Sequence, residues 1–359
     1  MTSQSEHKNE ENVVIKRLKI EGENFYCISN YDEIRPFFMS IVSDSNHWMF
    51  ISSNGALSAG RKNSEYALFP YYTADKITES CDTTGSKSIF QVHEKGETHV
   101  WEPFSDRNAN RYSTSRNLYK NAIGNKIIFE EINHNFSLTF RYEWDSSDRF
   151  GFVRKSSIKN NGDTSVSLSL LDGIQNIMPD SVSSDLQNSA SNLVDAYKRN
   201  ELDADSGMGI FALSAIIVDK AEPSEALKAN IAWSIGLENP KHLVSSLQLN
   251  KFRNGLEITS ETDVKAEKGA YFLNTKIELG PSAKEEWMIV ADVNQSQANV
   301  VSLIDAIHTN KELKNEIEAD INIGSKRLIE LNASSDAMQL SADVFRDTRH
   351  FSNTLFNIM

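Results

Sequence analysis

The nine residues FSLTFRYEW, from Phe136 to Trp144, decide the fold class of this chain. Apolar and polar side chains alternate along them: Phe136, Leu138, Phe140 and Tyr142 against Ser137, Thr139 and Arg141. Successive side chains of a strand point to opposite faces, so a period of two places one face on a core and the other toward solvent or a groove. The stretch is therefore predicted to be a long strand of an antiparallel sheet.

The same pattern extends outward on both sides, from Val13 to about Val293. Aromatic and β-branched runs alternate with Asn-, Gly-, Asp- and Ser-rich turns. The runs include Phe37–Val42, His47–Ser52, Ile89–Val92, His99–Phe104, Lys126–Ile132, Gly151–Lys159 and Ser165–Ile174. Strands this long and this numerous predict two large stacked sheets. The fold class is mainly β, a large antiparallel two-sheet sandwich.

Two segments depart from this period. Ser181–Glu201 is polar and then carries apolar residues at helical spacing, which predicts a helical insertion in the sandwich. After Asn294 the period becomes about 3.6, which predicts a C-terminal helical region. Its three helices are marked by Val300, Ile304 and Ile307; by Leu313, Ile317, Ile321, Leu328 and Leu331, interrupted near Gly324; and by Leu340, Val344, Phe351, Leu355 and Met359.

These periods divide the chain into three parts. Residues 1–12 are polar and are predicted to be a disordered lead-in; residues 13–293 form the sandwich and residues 294–359 a helical linker segment. The apolar face of the last predicted helix continues to the final residue, Met359. Two interpretations follow: a C-terminal helix docked on the sandwich, or a fragment of a longer protein, which is the one we expect.

Composition excludes several classes of function. Thirty-seven Lys and Arg against 50 Asp and Glu give a net charge of −13, which argues against nucleic acid and anionic membranes as partners. Cys27 and Cys81 form no disulfide framework and no zinc motif, so we expect no metal. With no signal peptide and no apolar run of about 18 residues, a cytoplasmic protein is the simplest interpretation.

The segment from His47 to Glu79 carries the most specific chemistry. An aromatic strand beginning at Trp48 turns at Asn54-Gly55 and leads into a long irregular loop. Aromatic faces stack on pyranose rings, while amide, guanidinium and carboxylate groups hydrogen-bond to sugar hydroxyls. The candidate sugar-contacting residues are Trp48, Arg61, Asn63, Tyr71, Tyr72 and Asp75.

This segment resembles the N-terminal domain of the cellobiose/chitobiose phosphorylase family of inverting glycoside phosphorylases. The counterparts of the family pattern are Asn54, Gly55, Arg61, Asn63, Leu68, Pro70, Tyr71 and Asp75. The resemblance covers roughly residues 30–180 and implies a super-sandwich related to galactose mutarotase-like domains, with a helical linker leading to an (α/α)6 barrel beyond Met359. The sequence departs from the family at Tyr71, where the family has Trp. The family's Arg-Glu-Asn-Arg cluster is also thinned here to Arg61, Lys62 and Asn63.

The resemblance also implies the function. The family's general acid and phosphate-binding groups lie in the barrel, so no catalytic residue is assigned here and this chain alone is not expected to be catalytic. It would shape the site for a β-linked oligosaccharide, form a homodimer through the parent protein and need no cofactor, with inorganic phosphate as co-substrate of a phosphorylase. Whether the parent is a phosphorylase or a glycoside hydrolase stays open.

Two other functions stay open. A stand-alone carbohydrate-binding or mutarotase-like protein would need a histidine acid and a glutamate base, and His93 and His99 could face each other across a hairpin. A protein-interaction module would instead use the last helix. Carboxylates outside these sites, namely Glu130, Glu131, Asp145 and Asp148, are expected at the surface.

Overall fold

The computed structural model describes residues 12–334 except 95, 109, 216 and 218–225, together with all side chains in these ranges but that of Asn108. The third predicted helix, and the predicted lead-in apart from Asn12, lie outside the described residues.

Across the described residues the strands are β1 Val14–Ile20, β2 Glu23–Ser29, β3 Phe38–Ile41, β4 His47–Ser52, β5 Leu57–Arg61, β6 Ala67–Phe69, β7 Gly85–Glu94, β8 Glu97–Trp101, β9 Thr114–Asn121, β10 Ile127–Asn133, β11 Leu138–Ser147, β12 Gly151–Asn160, β13 Val166–Ile177, β14 Lys198–Asp203, β15 Met208–Leu213, β16 Lys228–Ile235, β17 Lys241–Leu243, β18 Asp263–Lys265, β19 Gly269–Leu279 and β20 Lys284–Ser296. The helices are α1 Ala74–Glu79, α2 Ser184–Ser189, α3 Ser191–Tyr197, α4 Leu249–Arg253, α5 Gln297–Thr309 and α6 Leu313–Ser334.

The strands form antiparallel sheets, and the predicted β-sandwich is confirmed. The largest sheet has eleven strands in the order β1-β2-β9-β10-β11-β12-β20-β16-β15-β14-β18. A five-stranded sheet, β17-β19-β13-β7-β8, packs against it. A third sheet of four strands, β3-β4-β5-β6, was not distinguished by the sequence pattern and positions the candidate site.

The main core lies between the two larger sheets. In β11 the alternation seen in the sequence is realised: Leu138, Phe140 and Tyr142 are buried, at 0, 0 and 3% exposure. They pack with residues of the five-stranded sheet such as Phe90 and Leu170. Burial of apolar side chains on facing sheets is the main source of stability for such a sandwich.

The C-terminal helices cover the outer face of the eleven-stranded sheet. Val300 of α5 and Ile317 of α6 pack with Val153 and Trp233 of the sheet. The predicted interruption near Gly324 is wrong, because α6 runs unbroken from Leu313 to Ser334. This glycine has a packing role: a Cβ there would lie 2.7 Å from Oδ1 of Asp44. Among the described helices, none combines the length and apolar character that crossing a bilayer requires.

Two segments that connect strands contain short helices. The region predicted as a helical insertion contains α2 and α3, and its last residues begin β14. The segment His242–Phe252, which the sequence left ambiguous between helix and strand, contains the end of β17 and most of α4.

Candidate functional site

A groove of about 650 Å³ opens at the start of β4, on the outer face of the four-stranded sheet. We call it the aromatic groove. The described residues that line it are Val42, Ser43, Ser45, Asn46, His47, Trp48, Phe50, Lys62, Asn63, Ser64, Tyr71 and Leu328. Three of the six candidate residues predicted from the sequence, Trp48, Asn63 and Tyr71, therefore come together here.

The aromatic floor of the groove is built by packing around Trp48. The rings of Trp48 and Tyr71 meet edge to face, with centroids 5.4 Å apart and planes at 89°. Tyr71 remains 40% exposed, whereas Trp48 is only 8% exposed. The geometry of the pair is one that aromatic rings favour, so Trp48 braces the ring of Tyr71, which stays partly exposed in the groove.

The indole of Trp48 is held in place from below and from the side. Its Nε1 donates a hydrogen bond to the backbone carbonyl of Asn63 at 3.2 Å. Below it lies Gly60, where a Cβ would stand 2.5 Å from the indole and 2.3 Å from the carbonyl oxygen of Tyr66. Only a glycine at position 60 lets the ring lie this close to β5.

The rim of the groove is polar but carries little charge. Hydroxyl and amide side chains come from the loop before β4 and from the turn after β5, and Lys62 is the one lysine or arginine among the described lining residues. No carboxylate lines the groove within the described part of the chain. Amide and hydroxyl groups can both donate to and accept from sugar hydroxyls. The described lining residues therefore offer hydroxyl and amide groups, and no carboxylate stands among them to form an acid–base pair.

His47 forms the inner end of the groove. It is 5% exposed, its Nδ1 lies 2.8 Å from Oγ of Ser45, and its ring packs edge-on against Phe152. Burial, with the nearby Arg61 cation adding to it, lowers the pKa of His47 to about 3. The imidazole is therefore neutral near pH 7 and adds no charge to the groove.

Arg61 lies outside the lining and acts on the groove through Asn46. Its Nε donates to Oδ1 of Asn46 at 2.7 Å, and its Nη2 donates to the backbone carbonyl of Asp148 at 3.0 Å. Its Nη1 lies 3.3 Å from both carboxylate oxygens of Asp292 in β20. With every guanidinium nitrogen engaged, Arg61 joins two sheets and positions a rim residue.

Tyr72 and Asp75 also lie outside the described lining of the groove. The ammonium group of Lys76 lies 5.6 Å from the centre of the Tyr72 ring. Asp75 is in the first turn of α1, where a hydrogen bond from Thr73 and bonds from backbone amides lower the pKa of its carboxyl group. These two residues flank the groove and are the natural controls for it.

The prediction that His93 and His99 face each other is wrong. In the β7–β8 hairpin His93 is paired with Thr98 and His99 with Val92. Consecutive pairs point to opposite faces of a sheet, so the two imidazoles do not share a site. His93 instead lies within hydrogen-bond distance of Oγ1 of Thr98, at 3.1 Å, and of Oγ of Ser169, at 2.8 Å.

The expectation of surface carboxylates is wrong at three of the four positions. Glu130, Glu131 and Asp145 are 5, 2 and 1% exposed. Each is buried beside a cation from a neighbouring strand: Arg141, Arg116 and Lys155 respectively. A sequence pattern cannot show such cross-strand partners, which make the burial of charge possible.

No protein-family model and no curated protein sequence matches this chain. Among solved structures it is similar to a bacterial glucoamylase complexed with acarbose, with 9% identity, a TM-score of 0.47 and coverage of 84% of this chain and 37% of the other. A human-microbiome protein provisionally assigned as a kojibiose phosphorylase shares 10% identity, with a TM-score of 0.38 and coverage of 96% and 39%. For a galactose mutarotase-like protein from Clostridium acetobutylicum the identity is 9%, the TM-score 0.33 and the coverage 80% and 100%.

The similar structures thus include sugar-active enzymes and a mutarotase-like protein. This chain spans less than two-fifths of the glucoamylase and of the phosphorylase. With TM-scores below 0.5, these likenesses carry no argument about what the chain binds. Membership of the cellobiose/chitobiose phosphorylase family stays a proposal.

Proposed function

We propose that this chain is a carbohydrate-binding and structural domain of a glycoside phosphorylase or a related glycoside hydrolase, and that the aromatic groove takes a β-linked oligosaccharide. The observation that carries the proposal is the exposed Tyr71 ring, braced edge-on by Trp48 inside a groove whose rim is hydroxyl and amide. An aromatic face with polar groups around it suits the alternating C–H and O–H surfaces of a pyranose.

The size and charge of the groove favour an uncharged ligand longer than one ring. A volume of about 650 Å³ falls within the range of small-molecule sites. His47 is neutral, and Lys62, the one charged group among the described lining residues, is exposed to solvent, so charge contributes little to ligand binding in the groove. The β linkage and the enzyme class come from the sequence resemblance, as do catalysis in another domain and a homodimer of the parent protein.

Calorimetry of the purified chain with cellobiose and longer cello-oligosaccharides tests the binding proposal. Replacing Tyr71 by Ala removes the exposed stacking face and should weaken binding roughly tenfold, as expected for a central aromatic contact. Tyr72→Ala is the matched control, because it deletes the neighbouring ring that does not line the groove. Equal losses in both variants, or no binding by the wild-type chain, would contradict the proposal.

An assay of phosphate-dependent sugar 1-phosphate release from β-linked disaccharides tests the enzyme class. It compares this chain with the longer protein that the resemblance implies. Activity is expected in the longer protein alone, since the groove lacks a carboxylate among its described lining residues. Turnover by the isolated chain would show that the proposed division of labour is wrong.

A further inference from the structure

A second and smaller cavity, of about 180 Å³, lies at the opposite end of β4, beside the turn that follows Ser53. We call it the polar pocket. Five charged side chains line it: Asp32, Asp82, Lys87, Asp106 and Arg116. A strand of six residues is roughly 17–20 Å long, so this pocket is separate from the aromatic groove.

Three aromatic rings form the inner wall of the polar pocket. Tyr31, Phe104 and Tyr142 line it and surround the buried ring of Phe129, with centroid distances to Phe129 of 6.2, 6.2 and 4.9 Å. Phe104 meets Tyr142 edge to face at 5.3 Å. The wall is therefore a fixed apolar surface that belongs to the main core.

Phe104 reaches this wall through a backbone conformation that bulky residues rarely adopt. Its φ is +62°, in the left-handed region. The conformation is held by Glu131, whose carboxylate accepts from the backbone N–H of Phe104 at 2.7 Å and from Nε1 of Trp101 at 2.7 Å. Strain of this kind persists where the surroundings over-determine it and is concentrated at ligand sites.

The two cations of the pocket are fixed from behind by buried carboxylates. Nζ of Lys87 lies 2.7 Å from Glu102, and Nε of Arg116 lies 2.8 Å from Glu131. The side chains of Glu102 and Glu131 are 1 and 2% exposed, and that of Lys87 is 6% exposed. Desolvating so many charges is costly, and the result is a set of donors in a defined position.

The acceptors lie on the opposite, solvent side of the pocket. The side chains of Asp32, Asp82 and Asp106 are 36, 55 and 93% exposed. Asp82 lies 3.0 Å from Lys87, and Asp106 lies 3.4 Å from Arg116. The fixed cations and the rim carboxylates are therefore paired with each other beside a small, aromatic-walled space.

We propose that the polar pocket is a second ligand site, for one neutral polyhydroxylated ring of monosaccharide size. An anionic ligand would be repelled by three carboxylates, and a cationic amine would be repelled by Lys87 and Arg116. No group of three or more metal-ligating side chains is found in the described part of the chain. Hydroxyl groups both donate and accept, so a neutral polyol can satisfy the rim and the base together. The proposal stands on residues outside the aromatic groove.

Saturation-transfer NMR and calorimetry with D-glucose, D-galactose, D-mannose and myo-inositol test this site. At least one of these probes should bind the wild-type chain at millimolar concentration. Asp106→Asn replaces a charged acceptor by a neutral amide at an exposed position, and binding should weaken roughly tenfold, because a hydrogen bond to a charged group is the stronger one. Asp205→Asn, at an exposed turn outside the pocket, is the matched control and should leave binding unchanged.

Crossed variants separate this proposal from the groove. Tyr71→Ala should leave monosaccharide binding intact, and Asp106→Asn should leave oligosaccharide binding intact. The second-site proposal is overturned if no probe binds, if Tyr71→Ala abolishes monosaccharide binding, or if D-glucosamine binds where the neutral sugars do not. Failure of oligosaccharide binding alone would refute the groove proposal and leave this one standing.

Discussion

The two ends of β4 carry cavities of opposite character. The aromatic groove at its start has one lysine, no carboxylate and a large open volume among the described lining residues. The polar pocket at its end has five charged side chains in less than a third of that volume. One short strand thus separates an aromatic surface from a pocket lined by fixed charges.

The two cavities are kept in shape by different interactions. The groove depends on a close backbone approach at Gly60, which lets Trp48 lie flat. The pocket depends on buried carboxylates that fix its cations and the strained Phe104. Packing defects should therefore damage the first, and the loss of a single charge should damage the second.

The largest expected effect is at the polar pocket. Glu131→Ala would leave Nε of Arg116, Nε1 of Trp101 and the N–H of Phe104 without their acceptor. We expect the free energy of unfolding, measured with urea, to fall by about 3–5 kcal/mol, as it does when one partner of a buried ion pair is removed. A loss below 1 kcal/mol would mean that Glu131 contributes no more than a surface charge, and the contrast between the two ends would fail.

The next largest effect is at the aromatic groove. Gly60→Ala would place a methyl group against Trp48 and the carbonyl of Tyr66, and overpacking of this kind costs about 1–3 kcal/mol. Oligosaccharide binding measured by calorimetry should fall with it, since the indole must move. Gly280→Ala is the control, because a Cβ there meets nothing within 4 Å. Equal behaviour of the two variants would argue against a packed platform.

The buried His47 predicts a pH dependence of stability. Its pKa is about 3 in the folded state, below the ordinary value near 6.5, so protons bind preferentially to the unfolded chain between these values. The contribution of His47 to the free energy of unfolding should be complete above pH 6.5 and should fall by about 1.4 kcal/mol per pH unit below it. His47→Gln should flatten this slope in urea unfolding between pH 7 and 5, whereas the same change at the exposed His134 should not.

The smallest effect concerns the turn beside the groove. Oδ1 of Asn63 accepts from the backbone N–H of Glu65 at 3.1 Å and caps the short helical turn that follows. Asn63→Ala should lower stability by about 1 kcal/mol, the typical value for a lost cap. Asn63→Asp keeps the acceptor and should retain most of the stability that the cap contributes. Thermal unfolding of both variants decides whether this rim is ordered by its own cap.

Local patterns were sufficient for the architecture. The alternation in β11 and the change of period after Asn294 predicted strands and helices because each depends on residues close in sequence. The predicted interruption at Gly324 was wrong for the same reason. A glycine weakens a helix locally, and only the contact with Asp44 explains its presence inside α6. Its place in an unbroken helix could not be predicted from its neighbours.

In the candidate site, too, local patterns predicted some residues and contacts distant in sequence decided others. Trp48, Asn63 and Tyr71 could be predicted because residue type and strand–turn order suggested an aromatic surface with polar neighbours. The anchoring role of Arg61 could not, since its partners Asp148 and Asp292 are distant in sequence. Leu328 of α6 joins the groove from more than 250 residues away, and no local signal marks it.

The order of residues was enough to predict a β-sandwich followed by helices, and it shows an acidic chain with an aromatic segment that has polar neighbours. Only the tertiary structure decided which of the predicted residues share a cavity, which carboxylates are buried and that β4 has a second cavity at its far end. The physical reason is that periodicity follows from neighbouring residues, whereas a site is set by strand order and register, which bring together side chains that lie far apart in the chain.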